Sequence, residues 1–195
     1  MQLMVSIKLF LKNYIEKLSK SILDSEIKHI DLAATQIIST IKKKNNIFVC
    51  GNGGSAAIAN HYVVDFMKFF KQKSKFKPKI VSFSNSIETI TAISNDLDYK
   101  KIFSYQAESL CGKNDLIIII SSSGNSKNIV ELVKFANKHK IKTIGFSGFK
   151  GGYLKKNSSI SVHIDAQNYG ISEDAHHILM HAILQYLIKF FGKKN

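Results

Sequence analysis

Two stretches of this 195-residue chain set histidines and carboxylates at helical spacing. His61 and Asp65 are four residues apart, and Glu173, His177 and His181 keep the same interval. Because residues four apart share one face of a helix, each stretch forms a stripe of groups that can transfer a proton or bind a metal ion. Zinc is the natural ion for imidazole and carboxylate ligands.

The length of the second stripe does not decide which of its residues bind the metal. Glu173 and His181 lie about 12 Å apart along a helix axis, so both contact one ion only at full stretch. His177 lies between them and could take either place. Alternatively, Glu173 sits at the frayed start of the helix, or two subunits share the ligands.

A glycine-rich turn, Gly-Asn-Gly-Gly-Ser at residues 51–55, follows a short apolar run. Glycines let the backbone approach a ligand closely, and the start of the next helix offers unpaired N–H groups to an anion or a hydroxyl. A dinucleotide-binding turn would need an acid at the end of the second strand, and residues 81–85 contain none. The turn is therefore interpreted as part of a different ligand site.

A serine-rich turn, Ser-Ser-Ser-Gly-Asn-Ser at residues 121–126, follows another apolar run. Hydroxyl groups at the start of a helix form a neutral cradle for a phosphate monoester. The turn lacks the Gly-Lys-Ser/Thr ending of a nucleotide-binding P-loop, so nucleotide hydrolysis is disfavoured. The alternative is that Ser126 only caps the helix and the other serines fill a loop.

The elements that position these groups follow from the apolar pattern. Short apolar runs bounded by turns predict buried strands at residues 47–50, 79–83, 116–120, 142–146 and 160–164. Apolar residues at intervals of three and four predict helices at residues 7–23, 25–43, 55–70, 86–93, 101–108, 127–139 and 173–191. The alternation predicts the α/β class, as a three-layer α/β/α sandwich around a five-stranded parallel sheet.

One domain is expected over residues 1–195, with an N-terminal helical segment at 1–45 and an α/β core at 46–195. Both turns then lie beyond the carboxyl ends of strands, where such sheets bind ligands. The chain has no apolar run of membrane-spanning length and no cleavable leader pattern, so a soluble, cytoplasmic protein without membrane association is expected. Cys50 and Cys111 are expected to be buried thiols.

The net charge of +14 raises the question of nucleic-acid binding. The lysines are scattered, and no nucleic-acid motif accompanies them. A solvated basic surface that steers an anionic substrate is the preferred interpretation, and nucleic acid is not an expected partner.

Over nearly its whole length the chain resembles the phosphoheptose isomerases of the sugar isomerase (SIS) family. The resemblance rests on the order and spacing of several motifs: residues 51–55, His61 with the acid at Asp65, residues 91–96, 121–126 and 142–146, and His181. It implies a flavodoxin-like SIS fold and a homotetramer whose N-terminal helices pack at the subunit interface and whose active sites lie at subunit contacts.

The resemblance also implies an activity, the conversion of sedoheptulose 7-phosphate into D-glycero-D-manno-heptose 7-phosphate. This reaction leads to nucleotide-activated heptose for lipopolysaccharide or capsule. It proceeds through an enediol, with Asp65 as general base and His181 as general acid.

The site residues that the resemblance implies fall into three groups. The sugar would be contacted by Asn52, Gly53, Gly54, Ser55, Asp65, Asn95, Asp96 and Glu173. The phosphate would be bound by Ser121, Ser122, Ser123 and Ser126. One zinc ion per subunit would be held by His61, Asp65, Glu173 and His181.

Two of these residues depart from the family pattern. Asp65 stands where the family usually has Glu, and Glu173 stands where it usually has Gln. The shorter carboxylate is drawn back by one methylene, and the extra negative charge at 173 favours a cation. Two other functions therefore stay open: an isomerase of another sugar phosphate, and a non-catalytic sugar-phosphate binder or DNA-replication adaptor.

Overall fold

The computed structural model describes residues 6–74 and 76–192, apart from the side chains at positions 69 and 71. Within that part, five strands form one parallel sheet in the order β2-β1-β3-β4-β5. The strands are β1 (Asn46–Gly51), β2 (Lys79–Ser82), β3 (Leu116–Ser121), β4 (Lys142–Ser147) and β5 (Ile160–His163). This is the strand order of flavodoxin-like folds.

Helices connect the strands and cover both faces of the sheet. The α-helices are α1 (Ile7–Leu23), α2 (Ile27–Lys42), α3 (Gly54–Asp65), α4 (Lys71–Lys73), α5 (Ile87–Asp96), α6 (Ser104–Leu110), α7 (Lys127–Lys138), α8 (Gly152–Asn157) and α9 (Tyr169–Phe191). A π-helical turn, Phe66–Phe70, continues α3, and a 3₁₀ turn, Tyr99–Lys101, precedes α6.

The buried strands supply side chains alternately to two cores, because successive residues of a strand face opposite sides of the sheet. Ile118 and Ile120 of β3 belong to the core that contains residues of α2, α3 and α9. Ile117 and Ile119 belong to the core that contains residues of α5, α6, α7 and α8. The predicted three-layer α/β/α sandwich is confirmed.

All five predicted strands are present, but several helices differ from the prediction. The predicted helix at residues 55–70 changes to π-helical geometry directly after Asp65. The short helix α8 was not predicted, because six residues are too few to show a helical period. The last helix begins at Tyr169 rather than at 173, since the side chain of Asn168 caps it by accepting the Ile171 N–H at 3.0 Å.

The N-terminal helices pack on the side of the sheet that carries α9. Tyr14 of α1 donates a hydrogen bond to Asp174 of α9 at 2.7 Å, and partly buried Leu18 and Ile22 pack against the core. None of the described helices is both long and apolar enough to cross a membrane. Cys50 is buried, as expected, whereas Cys111 is only partly buried.

Candidate active site

The two ligand-binding turns lie side by side at the carboxyl edge of the sheet. Strands β1 and β3 are neighbours, with Gly51 opposite Ile120, so the turns that follow them start next to each other. Ser84, after β2, fixes the end of β1: its hydroxyl donates to the Gly51 carbonyl at 2.8 Å and accepts the Gly51 N–H at 3.1 Å. The residue after β2, on the side of β1 opposite to β3, thus helps to hold the first turn in place.

The first turn needs glycine at two positions for different reasons. Gly53 has a φ of +53°, in the region that favours glycine, and precedes the first residue of α3. Gly54 leaves room for the Glu173 carboxylate, with which a Cβ at this position would collide. Ser55 is buried beneath the turn. The exposed backbone of residues 53–54 therefore faces a carboxylate that comes from α9.

The serine turn has two hydroxyl groups, those of Ser122 and Ser126, that make no hydrogen bond with the described residues. Ser126 precedes α7, but its side chain makes no capping hydrogen bond. The Ser122 hydroxyl is buried without a partner among the described residues. Ser121 and Ser123 accept backbone N–H groups of the same turn, at 3.2 and 3.3 Å. The interpretation of Ser126 as merely a helix cap finds no support in this geometry.

A reciprocal pair of amides connects the two turns. Asn52 donates to Asn128 Oδ1 at 3.0 Å, and Asn128 donates to Asn52 Oδ1 at 2.8 Å. The Tyr99 hydroxyl donates to the same Asn52 oxygen at 3.3 Å. Asn128 and Tyr99 were missed in the sequence. The sequence contains one signal for Asn128: it is a polar residue directly after the serine turn, at the start of a helix that has an apolar face.

Asn95 and Asp96 form the last turn of α5, directly before the 3₁₀ turn that carries Tyr99. Both are exposed, and Asn95 donates to the Asp96 carboxylate at 2.8 Å. The Tyr99 contact with Asn52 connects this segment to the first turn. The structure thus brings the end of α5 to the same edge of the sheet as both turns.

A cluster of histidines surrounds the Asp65 carboxylate, between α3 and α9. Asp65 Oδ2 lies 3.4 Å from His61 Nε2 and 3.1 Å from His181 Nε2. The same two nitrogens lie 3.1 Å apart. The Asp65 side chain is buried, 7% exposed, whereas those of His61 and His181 are 48% and 39% exposed. Two exposed imidazoles therefore contact a buried carboxylate, an arrangement suited to proton transfer.

His177 is the third imidazole of this cluster. The ligand atoms of His61, His177 and His181 all lie within 4.8 Å of one another, and His177 Nε2 is buried without a partner among the described residues. Burial lowers the pKa of His177, and the neighbouring His181 and His61 lower it further. Three imidazoles beside a carboxylate are a donor set that zinc accepts.

Glu173 lies apart from this cluster. Its carboxylate is against Gly54 at the start of α3, while His181 is eight residues later on α9, about 12 Å along the axis. The suggestion that Glu173 sits at a frayed helix start is wrong, because α9 already begins at Tyr169. Of the predicted zinc ligands, the structure brings together His61, Asp65 and His181, and it adds His177.

The site is open to solvent along α3 and α9. A large cleft in the described residues, of about 710 Å³, lies elsewhere, between the N-terminal helices and the connection from β5 to α9, and none of the predicted site residues lines it. Met67 and Val64, close to Asp65 in the chain, are exposed apolar side chains. A site with this exposure is not enclosed by its own chain.

Known proteins resemble this chain in sequence and in fold. The family model described as SIS domain matches residues 11–148. A probable phosphoheptose isomerase of Thermoplasma acidophilum is 37% identical over 88% of this chain and 94% of its own length. A phosphoheptose isomerase of Campylobacter concisus is 30% identical over 95% and 98% of the two chains.

Among solved structures, a phosphoheptose isomerase from Francisella tularensis superposes with a TM-score of 0.86 at 24% identity, over 94% of this chain and 96% of that one. This likeness confirms the fold. The matched family model covers more than half of the chain, and the Thermoplasma and Campylobacter relatives cover nearly all of it. The chain therefore belongs to the SIS domain family, in the branch of the phosphoheptose isomerases.

Proposed function

We propose that this chain is a sugar-phosphate isomerase that converts sedoheptulose 7-phosphate into D-glycero-D-manno-heptose 7-phosphate. The relatives named phosphoheptose isomerase support this reaction class. The observation that carries the proposal is the contact of buried Asp65 with His61 and His181, on the helix that begins at the first ligand-binding turn. A carboxylate and an imidazole 3.1 Å apart provide a base and an acid for one substrate.

The distance between the turns and the cluster favours a long substrate. Gly54 and His61 are seven residues apart on α3, about 10 Å along its axis. A sugar that reaches from the first turn to the cluster therefore extends over the length of several carbon atoms. A seven-carbon sugar with a terminal phosphate suits that separation better than a triose phosphate does.

The proposed reaction moves one proton between two carbons. Asp65 takes a proton from C1 of the ketose, the C1–H electrons form the C1–C2 double bond, and O2 gains a proton from His181. The enediol then loses its O1 proton to His181 as the C1 carbonyl forms, and Asp65 returns its proton to C2.

Binding is assigned to the groups at the carboxyl edge of the sheet. Ser121, Ser122, Ser123 and Ser126 bind the phosphate, and Asn52, Gly53, Gly54, Ser55, Asn95, Asp96 and Glu173 contact the sugar. The unused hydroxyls of Ser122 and Ser126 support this assignment.

Zinc is proposed as the metal held by His61, Asp65 and His181, with Glu173 or His177 of α9 as the further ligand. Bound zinc would supply a Lewis acid that polarises the carbonyl oxygen. An imidazole nitrogen that binds a metal cannot take up a proton, so His181 Nε2 cannot bind zinc and serve as the acid at the same moment, whereas the carboxylate of Asp65 has a second oxygen. Assays of the metal-free and zinc-loaded protein side by side separate the two roles.

We place the enzyme in the cytoplasm, as a homotetramer, in the synthesis of nucleotide-activated heptose for lipopolysaccharide or capsule. Exposed apolar side chains along α1 and the open site on α3 support assembly with further copies.

A panel of ketose phosphates assayed with the purified protein tests the substrate. We expect turnover of sedoheptulose 7-phosphate and little turnover of shorter sugars. Turnover of a hexose phosphate without turnover of the heptulose would contradict the proposal. No turnover at all, together with DNA binding at physiological salt, would support a DNA-binding adaptor instead.

A further inference from the structure

Lysines that are scattered along the sequence meet at the amino edge of the sheet, where the strands begin. A cleft of about 250 Å³ lies there, between the end of α2, the loop before β3 and the start of β4. Four exposed lysines line it: Lys43, Lys113, Lys140 and Lys142. The length of β3 separates this edge from the serine turn by about 17 Å, so the cleft is distinct from the candidate active site.

The charge of the cleft is not balanced by the chain. Among the described residues, no acid lines the cleft, and none forms an ion pair with the four lysines. Asp115, at the end of the loop that carries Lys113, is 6% exposed, and its carboxylate accepts the N–H groups of Asn46 at 2.7 Å and Gly112 at 2.8 Å. Uncompensated charges of one sign around a cleft attract a ligand of the opposite sign.

Two helix ends at this edge have lysine where glycine is usual. Lys44 follows α2 with a φ of +59°, and Lys140 follows α7 with a φ of +57°. In both turns, backbone hydrogen bonds close the end of the helix. A side chain makes this left-handed conformation costly, and glycine avoids the cost. Lysine at both positions therefore indicates a use for its charged side chain at this edge.

Helix ends account for only part of this charge. A lysine in the last turn of a helix interacts favourably with the helix dipole, which explains Lys43 at the end of α2. Lys113 comes three residues after the last residue of α6, and Lys142 is the first residue of β4. Neither of these two lysines belongs to a helix end, yet both line the cleft.

The cleft suits a compact ligand with two phosphate groups. Asn45 donates to the Asn114 carbonyl at 2.9 Å, which connects the end of α2 to the loop that carries Lys113. The volume corresponds to about eight water molecules, below the roughly 300–1,000 Å³ of pockets that enclose a drug-sized ligand. One phosphate group carries about 1.5 to 2 negative charges at pH 7, so two of them balance four lysines.

We propose that this cleft binds an anion with two adjacent phosphate groups, either inorganic pyrophosphate or the diphosphate of a nucleotide. The ammonium groups of the four lysines donate to the phosphate oxygens. Because lysine binds phosphate as a point charge, the cleft recognises the phosphates rather than a base or a sugar. The site lies at the edge opposite the serine turn and does not depend on the proposed isomerase activity.

Calorimetric titration of the full-length protein with pyrophosphate, at physiological ionic strength, tests the proposal. We expect Lys113→Gln and Lys140→Gln each to weaken binding about ten-fold or more, since each removes a charged donor. Lys28→Gln makes the same charge change about 22 Å from Lys43 along α2 and should bind like the wild type. Ser126→Ala should also bind like the wild type, because the serine turn lies at the other edge.

Lys140→Gly separates the side chain from the backbone. The variant loses the ammonium group but relieves the left-handed conformation, so affinity for pyrophosphate should fall about ten-fold while the urea midpoint of unfolding rises. Unchanged affinity in both Lys140→Gly and Lys113→Gln would overturn the proposal.

Titrations with ADP, AMP and orthophosphate distinguish the sources of the phosphates. Equal affinity for ADP and pyrophosphate, or tighter binding of ADP, would support the proposal and identify the ligand as a free or a nucleotide-borne diphosphate, respectively. AMP or orthophosphate bound as tightly as pyrophosphate would contradict the need for two phosphate groups. No binding by the wild type, equal weakening in Lys28→Gln, or binding of duplex DNA alone would also overturn it. None of these measurements needs turnover, so they are readable whether or not the protein is an active isomerase.

Discussion

At the scale of single residues, Asp65 combines burial with two imidazole contacts. The side chain is 7% exposed and touches both His61 and His181. Replacing a general base removes a proton-transfer contribution of about 10²- to 10⁴-fold. We therefore expect Asp65→Asn to lower kcat by that factor in an isomerase assay, with little change in shape because the amide has the same size.

Asp31→Asn, an exposed substitution on α2, serves as the control and should leave kcat unchanged. Asp65→Glu, which keeps a carboxylate at this position, should retain part of the kcat that Asp65→Asn loses. Unchanged turnover in Asp65→Asn would show that another group is the base.

Asn128 is a positioning residue for Asn52. It is 1% exposed, exchanges two hydrogen bonds with Asn52, and accepts the Ile129 N–H at 3.0 Å. In Asn128→Asp the carboxylate can still accept the Ile129 N–H, but it no longer donates to Asn52. The lost hydrogen bond contributes about 0.5–1.5 kcal/mol, so we expect KM for the sugar phosphate to rise by up to roughly ten-fold while kcat changes less.

The matched control is Asn137→Asp on the same helix, whose exposed side chain donates a hydrogen bond to the Asn157 carbonyl. Its KM should equal that of the wild type. If both variants fold and both leave KM unchanged, Asn128 does not position Asn52 for the substrate.

At the scale of elements, helices α5 and α7 begin with serines that do different work. Ser86 caps α5 by accepting the Thr89 N–H at 3.2 Å, whereas Ser126 before α7 makes no such bond. Loss of a serine that caps a helix lowers stability by about 1 kcal/mol, whereas loss of a serine that makes no capping hydrogen bond lowers it little. Ser86→Ala should therefore lower stability and keep KM.

The reverse pattern is expected for Ser126→Ala. Its free energy of unfolding should stay within about 0.5 kcal/mol of the wild type, because no capping bond is lost. KM should rise about ten-fold or more, because a hydrogen bond to a charged phosphate contributes about 1.5–3 kcal/mol. Urea titration and steady-state kinetics provide the two measurements, and a stability loss without a KM change would return Ser126 to the role of a cap.

At the scale of the whole molecule, α1 exposes an apolar stripe. Ile7, Leu11 and Ile15 are spaced four apart and are 79%, 53% and 51% exposed, on the same face of α1 that packs against the core further along, at Leu18. A stripe of this kind favours contact with another copy of the chain. We expect light scattering to give the mass of a tetramer, and Leu11→Glu to reduce it.

Lys20→Glu provides the comparison, since Lys20 lies nine residues from Leu11 and so on the other side of α1. It should keep the wild-type mass. A monomeric wild type would contradict the proposed assembly and, with it, an active site completed by a second subunit.

The sequence by itself determined the strands, the two turns at the carboxyl edge of the sheet and the candidate chemistry of His61 and Asp65. Each of these depends on neighbours within a few residues: an apolar run, a glycine that permits a positive φ, or a four-residue spacing on one helix. The short helix α8 and the true start of α9 escaped prediction because six residues show no period and a single Asn cap is a weak signal.

Only the tertiary structure decided which distant groups meet. His61 and His181 are 120 residues apart, and Asn52 and Asn128 are 76 apart. Their contacts depend on how α9 packs against α3 and on which strands are neighbours, which no local pattern contains. The rotation and starting point of α9 turn His177 toward the cluster and Glu173 toward Gly54, whereas the spacing along the sequence allowed either residue to face the ion.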